Sequence, residues 1–87
     1  MALNIYAFAS GVNKANYDKL KIGMTYAQVV EIFGREGEVI GGKSENGVRT
    51  DWYRWTAKPE DRQPETAYAE AMFQNDQLVM LGQSKLK

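Results

Sequence analysis

Tyr17-Asp18-Lys19-Leu20-Lys21-Ile22-Gly23-Met24-Thr25-Tyr26-Ala27-Gln28-Val29-Val30-Glu31-Ile32-Phe33-Gly34 reads as a short helix, a glycine turn, a capped second helix and a glycine stop. Thr25 precedes an apolar run and Gln28 follows three residues later, the spacing of a capping box. In such a box the threonine oxygen accepts from the Gln28 amide while the Gln28 side chain reaches back to the Thr25 amide. Tyr26, Val29, Val30 and Phe33 then fall at i, i+3, i+4 and i+7, one face of a helix over about residues 26–33. Gly34 stands where a left-handed residue ends a helix. Upstream, Asn13 is placed to cap a first helix running to about Lys21, with Tyr17, Leu20 and Ile22 as its apolar side.

From Glu36 onward the helical period disappears. Glu38-Val39-Ile40-Gly41-Gly42 suggests a first strand weakened or bulged by its glycines. Ser44-Glu45-Asn46-Gly47 supplies turn chemistry, because Asn-Gly accepts the positive φ angles of a tight hairpin. Val48 to Ala57 is rich in β-formers and reads as a long second strand. Lys58-Pro59-Glu60-Asp61-Arg62-Gln63-Pro64-Glu65 is polar, holds both prolines and reads as a surface loop. Thr66 to Gln74 and Gln77 to Ser84 form strands three and four around Asn75-Asp76. The fold class is therefore α+β, a helix-turn-helix hairpin packed on one face of a four-stranded antiparallel β-meander. Residues 13–87 make the single domain, and residues 1–12 an apolar N-terminal segment that could serve assembly.

Alternation along the strands assigns the two faces. A two-residue turn at Asn75-Asp76 sets Phe73 opposite Leu78, Ala71 opposite Met80 and Ala69 opposite Gly82. Small residues let helices approach a sheet closely, so this face, with Tyr53 and Trp55, is assigned to the helices. The other face then carries Trp52, Arg54, Tyr68, Glu70, Met72, Val79, Leu81 and Gln83. An apolar surface of this kind marks an interface, and Trp, Tyr, Met and Arg are the residue types enriched there. Trp52, Tyr68, Met72 and Leu81 are the expected anchors, with Arg54 and Glu70 fixing orientation. Two alternatives stay open: strand two is inverted, or the N-terminal segment covers the patch.

Composition narrows the chemistry. A chain of 87 residues holds one core and buries about 60% of its unfolded surface. It contains no cysteine and no histidine, which removes disulfides, thiolate ligands, and the commonest general base and metal ligand. No catalytic residue, metal site or cofactor is assigned. Asp51 near Arg54 or Glu70 is the one carboxylate arrangement on the sheet, and it reads as an ordinary ion pair. The glycines from Gly34 to Gly47 lack the Gly-Lys-Ser/Thr of a phosphate loop. Eleven basic and eleven acidic residues are interspersed. Lys14, Lys19 and Lys21 form the one basic cluster, interrupted by Asp18, so nucleic acid is not an expected partner. Ala2-Leu3-Asn4-Ile5-Tyr6-Ala7-Phe8-Ala9 is far shorter than the roughly 20 residues that span a bilayer. It also lacks the basic start of an export signal.

Residues 17–25 with Val29-Val30 and Phe33-Gly34 resemble the repeat unit of the β-lactamase inhibitory protein-like families. The same helix-GMT-helix opening recurs in small bacterial outer-membrane lipoproteins. Tyr53-Arg54-Trp55 sits where such domains carry an aromatic strand. Residues 71–79 look like their closing hairpin, and residues 83–87 like the terminal tail of small Gram-positive lipoproteins of this kind. The resemblance covers residues 17–87. It implies a helix hairpin on a curved four-stranded sheet and, in the inhibitors, two such units presenting one concave surface to an enzyme. One unit is present here, and the lipobox cysteine of the lipoprotein relatives is not. The expectation is a non-enzymatic protein-binding module of the bacterial cell envelope, whose membrane attachment would need a lipid anchor outside this chain. A cytoplasmic inhibitor of phage or mobile-element type is the alternative. A homodimer formed through Ile5, Tyr6 and Phe8, or through the sheet patch, is a further one.

Overall fold

The computed structural model describes residues 10–87. Helix α1 (Lys14–Tyr17) and helix α2 (Tyr26–Phe33) precede four strands: β1 (Glu38–Glu45), β2 (Val48–Thr56), β3 (Tyr68–Gln74) and β4 (Gln77–Ser84). The strands form one antiparallel sheet in the order β1-β2-β3-β4. This is the expected α+β architecture.

The capping box forms as read. The Gln28 amide donates to Thr25 Oγ1 at 3.2 Å, and the Thr25 amide donates to Gln28 Oε1 at 2.9 Å. Gly34 closes α2 at φ 82°, its amide donating to the Val30 carbonyl at 2.7 Å. Asn13 caps α1, accepting from the Asn16 amide at 2.8 Å. The first helix, however, is a single turn that ends at Tyr17 rather than near Lys21. Leu20 still reaches the core, but Ile22, assigned to the same apolar side, is 63% exposed. A turn of four residues leaves no second turn to carry Ile22 onto the buried stripe.

The core lies between α2 and one sheet face. Val29, Phe33, Trp55, Ala69, Ala71, Phe73 and Leu78 are buried there, and the alanines of β3 are what allow the helix to approach. Tyr26 stacks on Tyr53 with ring centroids 4.3 Å apart and meets Phe73 edge-on. The Trp55 indole N–H donates to the Arg35 carbonyl at 2.8 Å. A Cβ at Gly37 would stand 2.8 Å from the Trp55 ring, so the chain leaving α2 can cross the indole only as glycine.

Both hairpin turns are two residues long. Asn46 and Gly47 sit at φ 53° and 80°, and Asn75 and Asp76 at 48° and 64°, as turns matched to strand twist require. Ser44 and Glu45, read as turn residues, still pair as strand, so β1 is longer than expected. Its glycine-rich part does bulge, with Ile40 as the extra residue between Val39 and Gly41.

The β4 register departs from the expectation. Phe73 faces Leu78 as predicted, but Val79 is an extra residue, so Met72 faces Met80, Ala71 faces Leu81, Glu70 faces Gly82 and Ala69 faces Gln83. Such a one-residue slip reverses every side chain beyond it. Leu81 and Gln83 therefore belong to the helix side of the sheet, while Met80 and Gly82 take places on the other face. The bulge follows directly on Leu78, whose outward backbone groups are already engaged. Its N–H donates to the Met24 carbonyl at 2.7 Å, and its carbonyl accepts from the Gly23 amide at 2.8 Å.

The segment 58–65, read as surface loop, contains a 3-10 turn (Pro59–Asp61) and one deeply engaged carboxylate. The Asp61 side chain is 2% exposed. It accepts from the amides of Lys58 at 2.7 Å and Val12 at 3.1 Å, and from Arg35 at 2.8 Å. Gly11 and Val12, counted above with the N-terminal segment, are thus part of the packed unit: Val12 is fully buried, and Gly11 donates to the Phe33 carbonyl. Residues 1–9 of that segment, including Ile5, Tyr6 and Phe8, lie outside the described residues.

Burial pushes the Asp61 carboxyl upward, but hydrogen bonds from Arg35, Lys58 and Val12 outweigh it and hold the group below its usual range. A carboxylate whose acidity is raised by folding stabilises the fold above its unfolded pKa, about 3.9. That contribution is lost as pH falls through the folded value. Asp61→Ala is expected to cost about 3 kcal/mol at neutral pH, because Arg35 is left without its partner. The variant should also lose less stability than the native chain between pH 5 and the acid limit, as chemical denaturation across a pH series will read. Equal acid sensitivity in both chains would remove Asp61 from this role.

Candidate binding face

Period-two alternation sends one set of β2 and β3 side chains away from the helices. The register orders these outward residues in transverse rows. One row is Glu38, Arg54, Glu70 and Gly82, the next Gly41, Trp52, Met72 and Met80, and a third Lys43, Thr50, Gln74 and Gln77. Tyr68 lies beyond the first row, opposite Thr56 and Ser84.

Trp52, Arg54, Tyr68, Glu70 and Met72, five of the six residues expected to form a binding face, share this side. Leu81 does not join them. The Val79 bulge turns its side chain toward the core, and Met80 takes the corresponding place beside Met72. Strand two is not inverted, since Trp55 is 1% exposed and Trp52 is 41% exposed.

The apolar row is open at its centre. Trp52, Met72 and Met80 border a shallow depression of about 190 Å³ with Glu70 and Gly82, and the strands at Ala71 and Leu81 run beneath it. Gly82 contributes to the opening by having no side chain, and a Cβ there would stand in free space. Met80, 60% exposed, forms the outer rim. At the other end of the row Trp52 lies along Gly41, where a side chain would meet the indole at ordinary contact distance.

Three polar or aromatic groups of the face, Arg54, Glu70 and Tyr68, engage one another. Arg54 Nε donates to Glu70 Oε2 at 2.7 Å, a second guanidinium nitrogen donates to the same oxygen, and the guanidinium lies 4.3 Å over the centre of the Tyr68 ring. The hydrogen bond to Glu70 favours the charged form of Arg54. The result is a planar, oriented ion pair beside an apolar row, suited to aligning a protein surface.

The carboxylate arrangement considered from the sequence does not form. Asp51 shares the inner side of β2 with Tyr53 and bonds Arg49 at 3.2 Å, whereas Glu70 faces outward. Residues of opposite pleat direction cannot share a proton. Among the described residues no cluster of three or more Asp or Glu is arranged to hold a metal ion, and no helix is long and apolar enough to cross a membrane.

The two residues missed from the sequence, Met80 and Gly82, owe their position to Val79. No local pattern announces that bulge, because the groups that engage Leu78 come from a loop more than fifty positions earlier.

Residues 13–87 match the family model described as β-lactamase inhibitor (BLIP). A solved structure from Streptococcus mutans, named as a proposed β-lactamase inhibitor protein, superposes with a TM-score of 0.73 at 28% identity. The match covers 90% of this chain and 47% of that one, so the chain spans about half its length. No curated protein matches.

The two tryptophans of β2 separate fold from face. Trp55→Ala is expected to cost about 3–5 kcal/mol in urea denaturation, the range for a buried aromatic. Trp52→Ala should cost about 1 kcal/mol or less. Comparable losses for the two would mean that Trp52 is part of the core.

Proposed function

The chain belongs to the β-lactamase inhibitor (BLIP) family, and from that premise we propose that it is a non-enzymatic inhibitor module that binds another protein through the outward sheet face. The observation that carries this reading is the row of Trp52, Met72 and Met80 standing uncovered by the helices around an open depression. Folding normally buries large apolar side chains, and a contiguous exposed set is retained where a partner completes the burial. The Arg54–Glu70 pair on its Tyr68 platform would set the partner's orientation, since a fixed planar charge pair specifies direction more than it adds affinity.

In this proposal the inhibited partner is an enzyme whose surface presents a projecting apolar group to the depression. β-Lactamases are the first enzymes to test, since the Streptococcus mutans structure is named for them. The module is further proposed to act in the bacterial cell envelope, which fractionation of the native cells tests directly.

The experiment is inhibition and binding against a panel of purified serine β-lactamases, using the native chain, Trp52→Ala and Ile22→Ala. Ile22 is exposed on the helix side and serves as the control. A partner bound through the sheet should lose about 2 kcal/mol or more with Trp52→Ala, roughly a thirtyfold rise in Kd, and should be indifferent to Ile22→Ala. Binding that survives Trp52→Ala and falls with Ile22→Ala would transfer the site to the helices. A native chain that is dimeric by light scattering, and becomes monomeric with Trp52→Ala, would make a second copy the partner.

A further inference from the structure

Asn46 and Gly47 form the tip of the β1–β2 hairpin, and their chemistry is not used by the binding face. Both are exposed, at φ 53° and 80°. Of the described asparagines, Asn13 holds the Asn16 amide, Asn16 is buried, and Asn75 holds the Arg49 amide at 2.9 Å. The Asn46 side chain has no such bond, and Asn46 alone among the four is followed by glycine. In a two-residue turn the closing hydrogen bonds run between the flanking residues, here Glu45 and Val48. The Gly47 nitrogen therefore lies outside the ladder. Apart from its two chain neighbours, no residue stands within 4 Å of the position a Cβ of Gly47 would occupy, so no other part of the chain crowds the Asn46–Gly47 peptide.

We propose that Asn46-Gly47 is a self-modification site, at which the chain converts to an isoaspartyl linkage that loosens the β1–β2 hairpin. The Gly47 backbone nitrogen attacks Asn46 Cγ and gives its proton to solvent base. The Cγ–Nδ2 bond of the tetrahedral adduct breaks, the departing nitrogen takes a proton from solvent and leaves as ammonia, and a five-membered cyclic imide remains. Water then opens the ring at either carbonyl, giving aspartate or, when the Gly47 nitrogen stays on Cγ, isoaspartate. The net change is addition of one water and loss of one ammonia, with no oxidant or cofactor.

The isoaspartyl product routes the main chain through Cβ and adds one backbone atom to a two-residue turn. Register in a hairpin is set by its turn. The added atom therefore displaces the hydrogen-bonded pairs nearest the tip, Glu45 with Val48 and Lys43 with Thr50, while Glu70 with Gly82 in the β3–β4 hairpin is untouched. The Asn75-Asp76 turn is an internal control of the same length and backbone form, with a side chain in place of the bare glycine.

The test is incubation of the folded native chain at mildly alkaline pH, followed by peptide mapping and enzymatic isoaspartate labelling. Hydrogen exchange is then measured on the converted fraction. The expected result is a gain of about one dalton, confined to the Asn46 peptide, with Asn75 unchanged. Amide protection is then lost at Lys43 and Thr50 and kept at Glu70 and Gly82. Asn46→Asp, which carries the new charge without the extra backbone atom, should keep protection at all four. No conversion at Asn46, or equal conversion of Asn75, overturns the site. Protection unchanged in the isoaspartyl chain overturns its effect on the hairpin.

Discussion

Two backbone hydrogen bonds hold the helical layer to the sheet margin: Gly23 to the Leu78 carbonyl, and Leu78 to the Met24 carbonyl. Edge strands carry a row of unpaired backbone groups, and this clasp engages those of Leu78 from the loop between the helices. Gly23 can take part because it sits at φ 98°, where a side chain is disfavoured. Thr25 follows at once and starts α2. The Asp76 side chain, at the tip of the adjoining hairpin, accepts from the first helical amide at Tyr26. Loop, helix start and strand turn are thereby fixed together. The Val79 bulge directly follows, so the clasp adjoins the point at which β4 exchanges its faces.

Much of this architecture was legible. Thr25 with Gln28, Gly34, and the pairs Asn46-Gly47 and Asn75-Asp76 each act over a few residues, and local chemistry needs no knowledge of the rest of the chain. The alternation of β2 and β3 sorted Trp52, Arg54, Tyr68, Glu70 and Met72 correctly because neither strand is bulged between those positions. Leu81, Met80 and Gly82 were misplaced for the opposite reason: their orientation depends on an insertion beside a contact from residues 23 and 24. Asp61 was equally hidden. Its partners Val12, Lys58 and Arg35 are spread over the chain, and in sequence it is one acidic residue among several in a proline-bearing loop.

The proposed function rests on a division of aromatic and apolar residues between two surfaces. Tyr26, Phe33, Tyr53, Trp55 and Phe73 meet under the helices, where ring contacts between 4.3 and 6.1 Å fill the space. Trp52, Met72 and Met80 lie on the other side, where two missing side chains, at Gly41 and Gly82, leave room. Methionine adapts its shape at low cost, whereas the Arg54–Glu70 pair is tied by two hydrogen bonds. A face of this composition combines a compliant apolar centre with a polar border, and in the proposed function that combination serves to capture another protein.

The pleat of β2 has a spectroscopic consequence. The chain contains two tryptophans, three residues apart on one strand and on opposite sides of the sheet. The Trp55 indole is enclosed, with its N–H donated to a carbonyl, and emits from an apolar, invariant setting. The Trp52 indole is open to water and to collisional quenchers. The blue and red edges of one emission band therefore come from two places: the first reads whether the core is intact, the second whether the outer face is occupied. A molecule of this size carries, without any label, separate optical reporters of folding and of contact.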